Sequence, residues 1–182
     1  MVNMLNELSS MVRKLDISSE EYKSYYDLYL DRVSPETELF EALEQQQELI
    51  HFFKSIPEDK YESRYAPDKW TPKQILQHLM DTERIFMNRA LRFARADFTE
   101  LPGYDENHYA EYCFSNSRKL EDMLEEFKTL RASSIHLFKS FADEVFTHTG
   151  KASGGPFSVL VMPFIICGHQ KHHIHIIKER YL

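Results

Sequence analysis

The sequence predicts an all-α protein: a four-helix bundle with a short extra N-terminal helix and a long crossover between the second and third bundle helices. Three observations predict it. Glycine is scarce, 5 in 182 residues, and long stretches lack both Gly and Pro, which favours helices over a turn-rich sheet architecture. Four long segments carry apolar residues at helical spacing behind helix-start signals. A chain of 182 residues also fits one domain, with residues 1–30 as an extension and 31–182 as the bundle.

The first segment runs from Pro35 to Ser55, with Ser34 as its N-cap and Pro35 at the first helical position. Leu39, Leu43, Leu49, Ile50 and Phe53 recur along it at helical spacing. The second begins with Thr71-Pro72-Lys73-Gln74, a capping box with proline in the first turn, and continues to Ala96. The third spans Ser117 to Phe141, with Leu120, Leu124, Phe127, Leu130 and Leu137 on its apolar face. The fourth runs from Ser158 to Tyr181 and takes Pro163 into its first turns or kinks there. Between the second and third lies FTELPGYDENHY, residues 98–109, whose length suits a crossover better than a tight turn. The stretch from Gly150 to Gly155 reads as a flexible loop. Ahead of the bundle, the aromatic-rich run of Tyr22, Tyr25, Tyr26 and Tyr29 is expected to pack against it.

Charge narrows the partners. The formal net charge is −7, with acidic and basic residues interspersed. That disfavours nucleic acid and anionic membrane surfaces, both of which call for a basic face. Cys113 and Cys167 form no CxxC pair, so no disulfide framework is expected. The first residues lack the apolar core of a signal peptide, and no run approaches the roughly 20 apolar residues of a membrane span. The expectation is a cytoplasmic protein with a small-molecule substrate.

Four of the nine histidines crowd into GHQKHHIH, residues 168–175. Residues four apart on a helix differ by about 40° in direction and are near neighbours. His169 and His173 have that relation and fall within the stripe of Met162, Ile165, Ile166, Ile176 and Ile177. His172 lies on the flank of the stripe and His175 turns to the polar side. On the second helix His78 shares its face with Ile75, Leu79, Thr82, Ile85, Phe86 and Phe93. One interior histidine is more often a hydrogen-bonded core residue than a ligand. Two at i and i+4 on an apolar face, with a third on a helix that can face them, point instead to a divalent metal site for zinc or nickel.

KWTPKQILQHLMD (69–81), LPGYDEN (101–107) and GHQKHH (168–173) together resemble the DinB/YfiT superfamily of metal-binding four-helix bundles, in the same order over roughly Asp31 to Leu182. The resemblance implies a metal held by one histidine of the second helix and an HxxxH pair of the fourth, matching His78, His169 and His173. It further implies nickel or zinc, a homodimer, and in some relatives a low-molecular-weight thiol used in S-transfer; other relatives look like hydrolases. Some members carry another histidine three residues after the Asp of the second-helix motif, where this chain has Arg84.

The remaining candidates weigh as follows. Asp81, one turn from His78, is read as a residue that orients a ligand or takes a proton, with a solvated helix Asp as the plainer reading. Arg89, on the His78 face, is read as a clamp for a substrate carboxylate or as a snorkelling side chain. Tyr104 and Asp105 either line the pocket mouth or serve a turn, and Trp70 reads as an anchor before the helix cap. Cys167 points about 160° away from the histidine face, by the 100° step of the helical wheel, and is not a ligand. A non-enzymatic metal-binding bundle is the alternative from a different class.

Overall fold

The computed structural model describes residues 11–182. The short α1 (Asp27–Leu30) follows a series of 3₁₀ turns in the N-terminal extension; any helix in residues 1–10 lies outside the described residues. The chain continues through α2 (Leu39–Glu44), α3 (Gln46–Ser55), α4 (Pro72–Ala94), α5 (Glu106–Tyr112) and α6 (Leu120–Lys139). A hairpin of β1 (Thr149–Ala152) and β2 (Gly155–Ser158) leads into α7 (Val161–Arg180). The four members of the bundle are the α2–α3 pair, α4, α6 and α7. Both α4 and the α2–α3 pair pack against α6 and α7, and α1 lies along α7.

Several boundaries differ from the sequence expectation for physical reasons. The first segment starts at Leu39, behind a Glu38–Glu41 capping box, rather than at Pro35 behind Ser34. Residues 35–39 are engaged elsewhere: Leu15 N–H donates to the Pro35 carbonyl, Lys14 N–H to that of Thr37, and Leu39 N–H to that of Val12. The same segment breaks at Gln45. The second starts at Pro72 with the expected Thr71/Gln74 capping box. Pro163 sits inside the first turn of α7, where its missing N–H costs no hydrogen bond.

The expected flexible loop at 150–155 is an ordered antiparallel hairpin, turning through Ser153 (φ 50) and Gly154 (φ 73). Positive φ at both central residues suits the twist of a two-residue hairpin turn. Gly150 is required for packing, since a Cβ there would lie 2.2 Å from the Phe93 ring. The crossover docks on this hairpin, with Leu101 N–H donating to the Lys151 carbonyl (2.9 Å) and Ser153 N–H to the Leu101 carbonyl (3.1 Å). Its second half, expected as loop, forms α5 because Asp105 accepts from Asn107 N–H (2.9 Å) and His108 N–H (3.1 Å).

Two apolar clusters fill the bundle. One joins residues such as Leu39, Phe86, Phe138 and Ile165; the other joins Leu49, Leu76, Phe127 and Ile174. Between them every bundle helix contributes polar groups. Arg131 meets both carboxylate oxygens of Glu83 (2.9 and 3.0 Å) and donates to the Leu43 carbonyl (2.9 Å). Ser134 donates to Glu83 (2.7 Å), and Gln170 links Arg131 to the Gln45 carbonyl. At the helix break that carbonyl also accepts from Glu48 N–H (3.3 Å).

Glu83 and Arg131 are each 1% exposed, so removing one strands the other's charge in the interior. Arg131→Met or Glu83→Gln is expected to cost about 3–5 kcal/mol of folding free energy, measured by urea unfolding. A loss below about 1 kcal/mol, the scale of a surface pair, in both variants would show that the pair does not tie the helices together.

Candidate metal centre

The site is built where the polar layer opens toward solvent. The Thr71 cap fixes where α4 begins: Thr71 Oγ1 accepts from Gln74 N–H (3.1 Å), and Gln74 Oε1 accepts from Thr71 N–H (2.9 Å). His78 follows two turns later on the face toward α7. His169 and His173, one turn apart on α7, complete the group. His78 Nε2 lies 3.0 Å from His169 Nε2, and His173 Nε2 lies 3.0 Å from the same atom. The three ligating atoms all lie within 4.8 Å of one another.

That convergence is unusual for imidazoles alone. A neutral ring has one N–H and one lone pair, so His169 Nε2 cannot serve two neighbours well in either tautomer. His173 Nδ1 is buried without a partner. Nitrogens bound to a common ion at about 2.0–2.1 Å would stand roughly 3 Å apart, as His169 Nε2 does from each of its two neighbours, so the donor set fits a divalent metal. Burial holds all three rings in the neutral, ligating form. It lowers His78 from 6.5 to about 4 and pushes His169 and His173 well below the ordinary value, with neighbouring histidines adding to the shift.

Neighbours outside the helical stripe complete the walls. Trp70 lies with its ring 4.6 Å from His78 and 6.2 Å from His173, so it covers the site as well as packing before the cap. Tyr29 meets His169 edge-on at 4.9 Å and His172 at 5.4 Å. It comes so close because α7 has Gly168 there: a Cβ would lie 2.0 Å from the Tyr29 carbonyl oxygen. The histidines open into a cavity of about 990 Å³, walled by aromatic residues including Tyr26, Phe86 and Tyr104. Tyr104 pairs its hydroxyl with Thr82 (2.8 Å) and lines the cavity, whereas Asp105 caps α5.

The other candidates are placed differently. Asp81 accepts from Gln77 (2.9 Å) and Arg84 (3.3 Å) and does not line the cavity. Burial raises its pKa, opposed by those two partners. The structure therefore gives it no contact through which to orient His78. Arg84, in the place of the additional histidine, is drawn outward to Glu126 (2.5 Å). Arg89 is buried behind the cavity wall, donating to the Pro102 carbonyl (3.3 Å) and to Ser153 Oγ (2.8 Å), rather than snorkelling to solvent. Cys167 points away from the histidines and donates to Gln45 Oε1 (3.3 Å). Among the described residues no other group of three or more His, Cys, Asp or Glu side chains is arranged to hold a metal ion.

Sequence reasoning named the three histidines and missed Tyr29. The available signal was the tyrosine run of the extension together with the glycine preceding His169.

Comparison with known proteins agrees with this architecture. The family model of the DinB superfamily matches residues 41–177. No curated protein matches the chain. Among solved structures, the chain is similar to YfiT from Bacillus subtilis, described as a probable metal-dependent hydrolase with an unusual four-helix bundle topology. The TM-score is 0.63 at 21% identity, covering 90% of this chain and 87% of that one. No described helix is long and apolar enough to cross a membrane.

The three depressed pKa values give an acid signature. The unfolded chain takes protons on these imidazoles near 6.5, whereas folded His78 takes one only near 4. Acid therefore favours the unfolded state: the stability is fully present above about 6.5 and is lost as pH falls toward 4. Metal-free protein should lose up to about 1.4 kcal/mol per pH unit for each such imidazole, with a shallower slope in His78→Gln. Urea melts at pH 7 and pH 5 check this, and equal stability at both would refute it.

Proposed function

We propose, from the premise that this chain belongs to the DinB superfamily, that it is a divalent-metal-dependent enzyme acting on a small molecule, with His78, His169 and His173 as the ligands. The observation that carries this reading is the meeting of three neutral imidazole nitrogens from two helices at the inner end of an open cavity of about 990 Å³. A structural site closes its coordination sphere with four protein ligands, whereas a catalytic one keeps positions open. Three protein donors beside a large cavity fit the second pattern. Zinc and nickel both suit an all-imidazole donor set.

A divalent ion held there would act as a Lewis acid and lower the pKa of a nucleophile in the cavity. The chain's own residues do the rest. Burial keeps the rings unprotonated, so protons compete weakly for the ligating nitrogens. Trp70 and Tyr29 cover the histidines and limit the water that reaches them. The Tyr104 and Thr82 hydroxyls, 2.8 Å apart, supply a donor on the facing wall for a substrate oxygen.

Two nucleophiles fit this arrangement: water, giving hydrolysis, and a low-molecular-weight thiol, giving S-transfer. The cavity lies at the upper end of the usual roughly 300–1,000 Å³ for small-molecule sites, which leaves room for two molecules and supports the transfer reading. A homodimer goes with the proposal through the family resemblance, and a cytoplasmic setting through the cysteine usage and the apolar patterning of the sequence.

His78→Ala, His169→Ala and His173→Ala are each expected to abolish stoichiometric zinc or nickel binding, while His172→Ala and His175→Ala retain it. Elemental analysis decides this, and titration of Trp70 fluorescence follows binding directly, because Trp70 is the chain's one tryptophan and touches the site. Equal metal retention by all five variants would end the assignment. Screening metal-loaded protein against esters, and against small electrophiles with added thiols, separates hydrolysis from transfer.

Chelation should lower the melting temperature only modestly, since the two apolar clusters carry the fold. Complete unfolding on chelation would instead make the metal structural.

A further inference from the structure

Arg89 is 2% exposed, and among the described residues no carboxylate pairs with it. Its partners are neutral: the Pro102 carbonyl at 3.3 Å, Ser153 Oγ at 2.8 Å, the Tyr26 hydroxyl, and the faces of Phe86 and Phe157 at 5.2 and 5.5 Å. The contrast lies in the same bundle, where buried Arg131 has Glu83 on two of its nitrogens. Removing a charge from water is costly unless an opposite charge meets it. Burial lowers the Arg89 pKa, opposed by the hydroxyls of Tyr26 and Tyr104.

The cavity wall in front of Arg89 collects a second cation. Lys23 lines the cavity and donates to the Ser153 carbonyl at 3.1 Å, also without a carboxylate among the described residues. Its stem fills the space at Gly155, where a Cβ would lie 2.2 Å from the Lys23 carbons. Because Ser153 Oγ accepts from Arg89, its own proton is available as a donor toward the cavity. Of the carboxylates on the lining, Glu100 is paired with Lys151 at 3.1 Å, and Glu106 borders the second cavity beside Trp70, at the histidine end. The field in the cavity therefore runs from positive at the hairpin turn to the histidines at the other end.

We propose that Lys23, Ser153 and the buried charge of Arg89 form a subsite for the carboxylate of a small organic acid, whose apolar body lies along Phe86 and Tyr26 toward the histidines. This deepens the metal-enzyme reading and rests on it for the orientation of the substrate. Arg89 follows His78 by three turns of α4, about 16 Å along the helix axis, so the acid is an elongated one with its reactive group remote from the carboxylate.

The test uses full-length protein, stripped of metal and reloaded with zinc, with octanoate and its uncharged amide as probes in calorimetric titrations. Metal-free protein should bind octanoate about tenfold more tightly than octanamide, the worth of a charge-assisted hydrogen bond. Lys23→Gln, a change at an exposed residue, should remove most of that preference, as should Arg89→Gln where it folds. Equal binding of acid and amide overturns the subsite, and so does a preference that appears only with zinc, which would place the carboxylate on the ion. Failure of the metal reading shows separately, as absence of zinc uptake.

Discussion

The structure depends on a polar layer that crosses the bundle between its two apolar clusters. Each bundle helix changes character there: α4 at Thr82 and Glu83, α6 at Arg131 and Ser134, α7 at His169 and Gln170, and the first segment at Gln45. On the α6 side the layer is closed and satisfied. The Arg131 guanidinium is met by a bidentate carboxylate, a free backbone carbonyl and an amide, which offsets the desolvation of both charges. This fixes the axial register of α4, α6 and α7. With that register set, His78 and His169 have little freedom except to face each other.

On the other side the same layer is left open. Among the described residues the three imidazoles share no carboxylate, and each can offer only one lone pair and one proton. Three nitrogens converging within reach of one another therefore form an arrangement that is poor as a hydrogen-bond network and good as a ligand set. The two halves of the layer complement each other. The satisfied half supplies the rigidity that a preorganised site needs, while the unsatisfied half carries the ligand set of the proposed site.

What the sequence disclosed follows from which forces are local. The Thr71 cap, the apolar stripes and the i, i+4 pair of His169 and His173 obey helical periodicity, and these helices lie within about three residues of expectation. The break at Gln45 was not readable, because its cause is the Arg131 and Gln170 side chains arriving from other helices. The hairpin was hidden behind a short glycine-rich run, where its stability comes from pairing with Leu101 of the crossover. Tyr29 was illegible as a site residue because a backbone contact, the fit of its carbonyl against Gly168, sets its position. Asp81 shows the opposite error. Sequence proximity to His78 suggested partnership, but i+3 on that helix carried its carboxylate to Gln77 and Arg84 instead.

The division of labour between helices and connections bears on how such a site acquires its substrate. The proposed ligands sit on α4 and α7, where a change of spacing would disturb the whole polar layer. The cavity walls come from elsewhere: Tyr26 and Tyr29 from the extension, Tyr104 from the crossover, Ser153 from the hairpin turn. These segments are joined to one another by contacts such as Lys23 to Ser153 and Leu101 to Lys151. Changes there leave untouched the Glu83–Arg131 contacts that set the register of the bundle. On the proposed function, substrate choice resides in the connections, which α4 meets through Thr82 at Tyr104, Phe93 at Gly150, and Arg89 at Pro102 and Ser153.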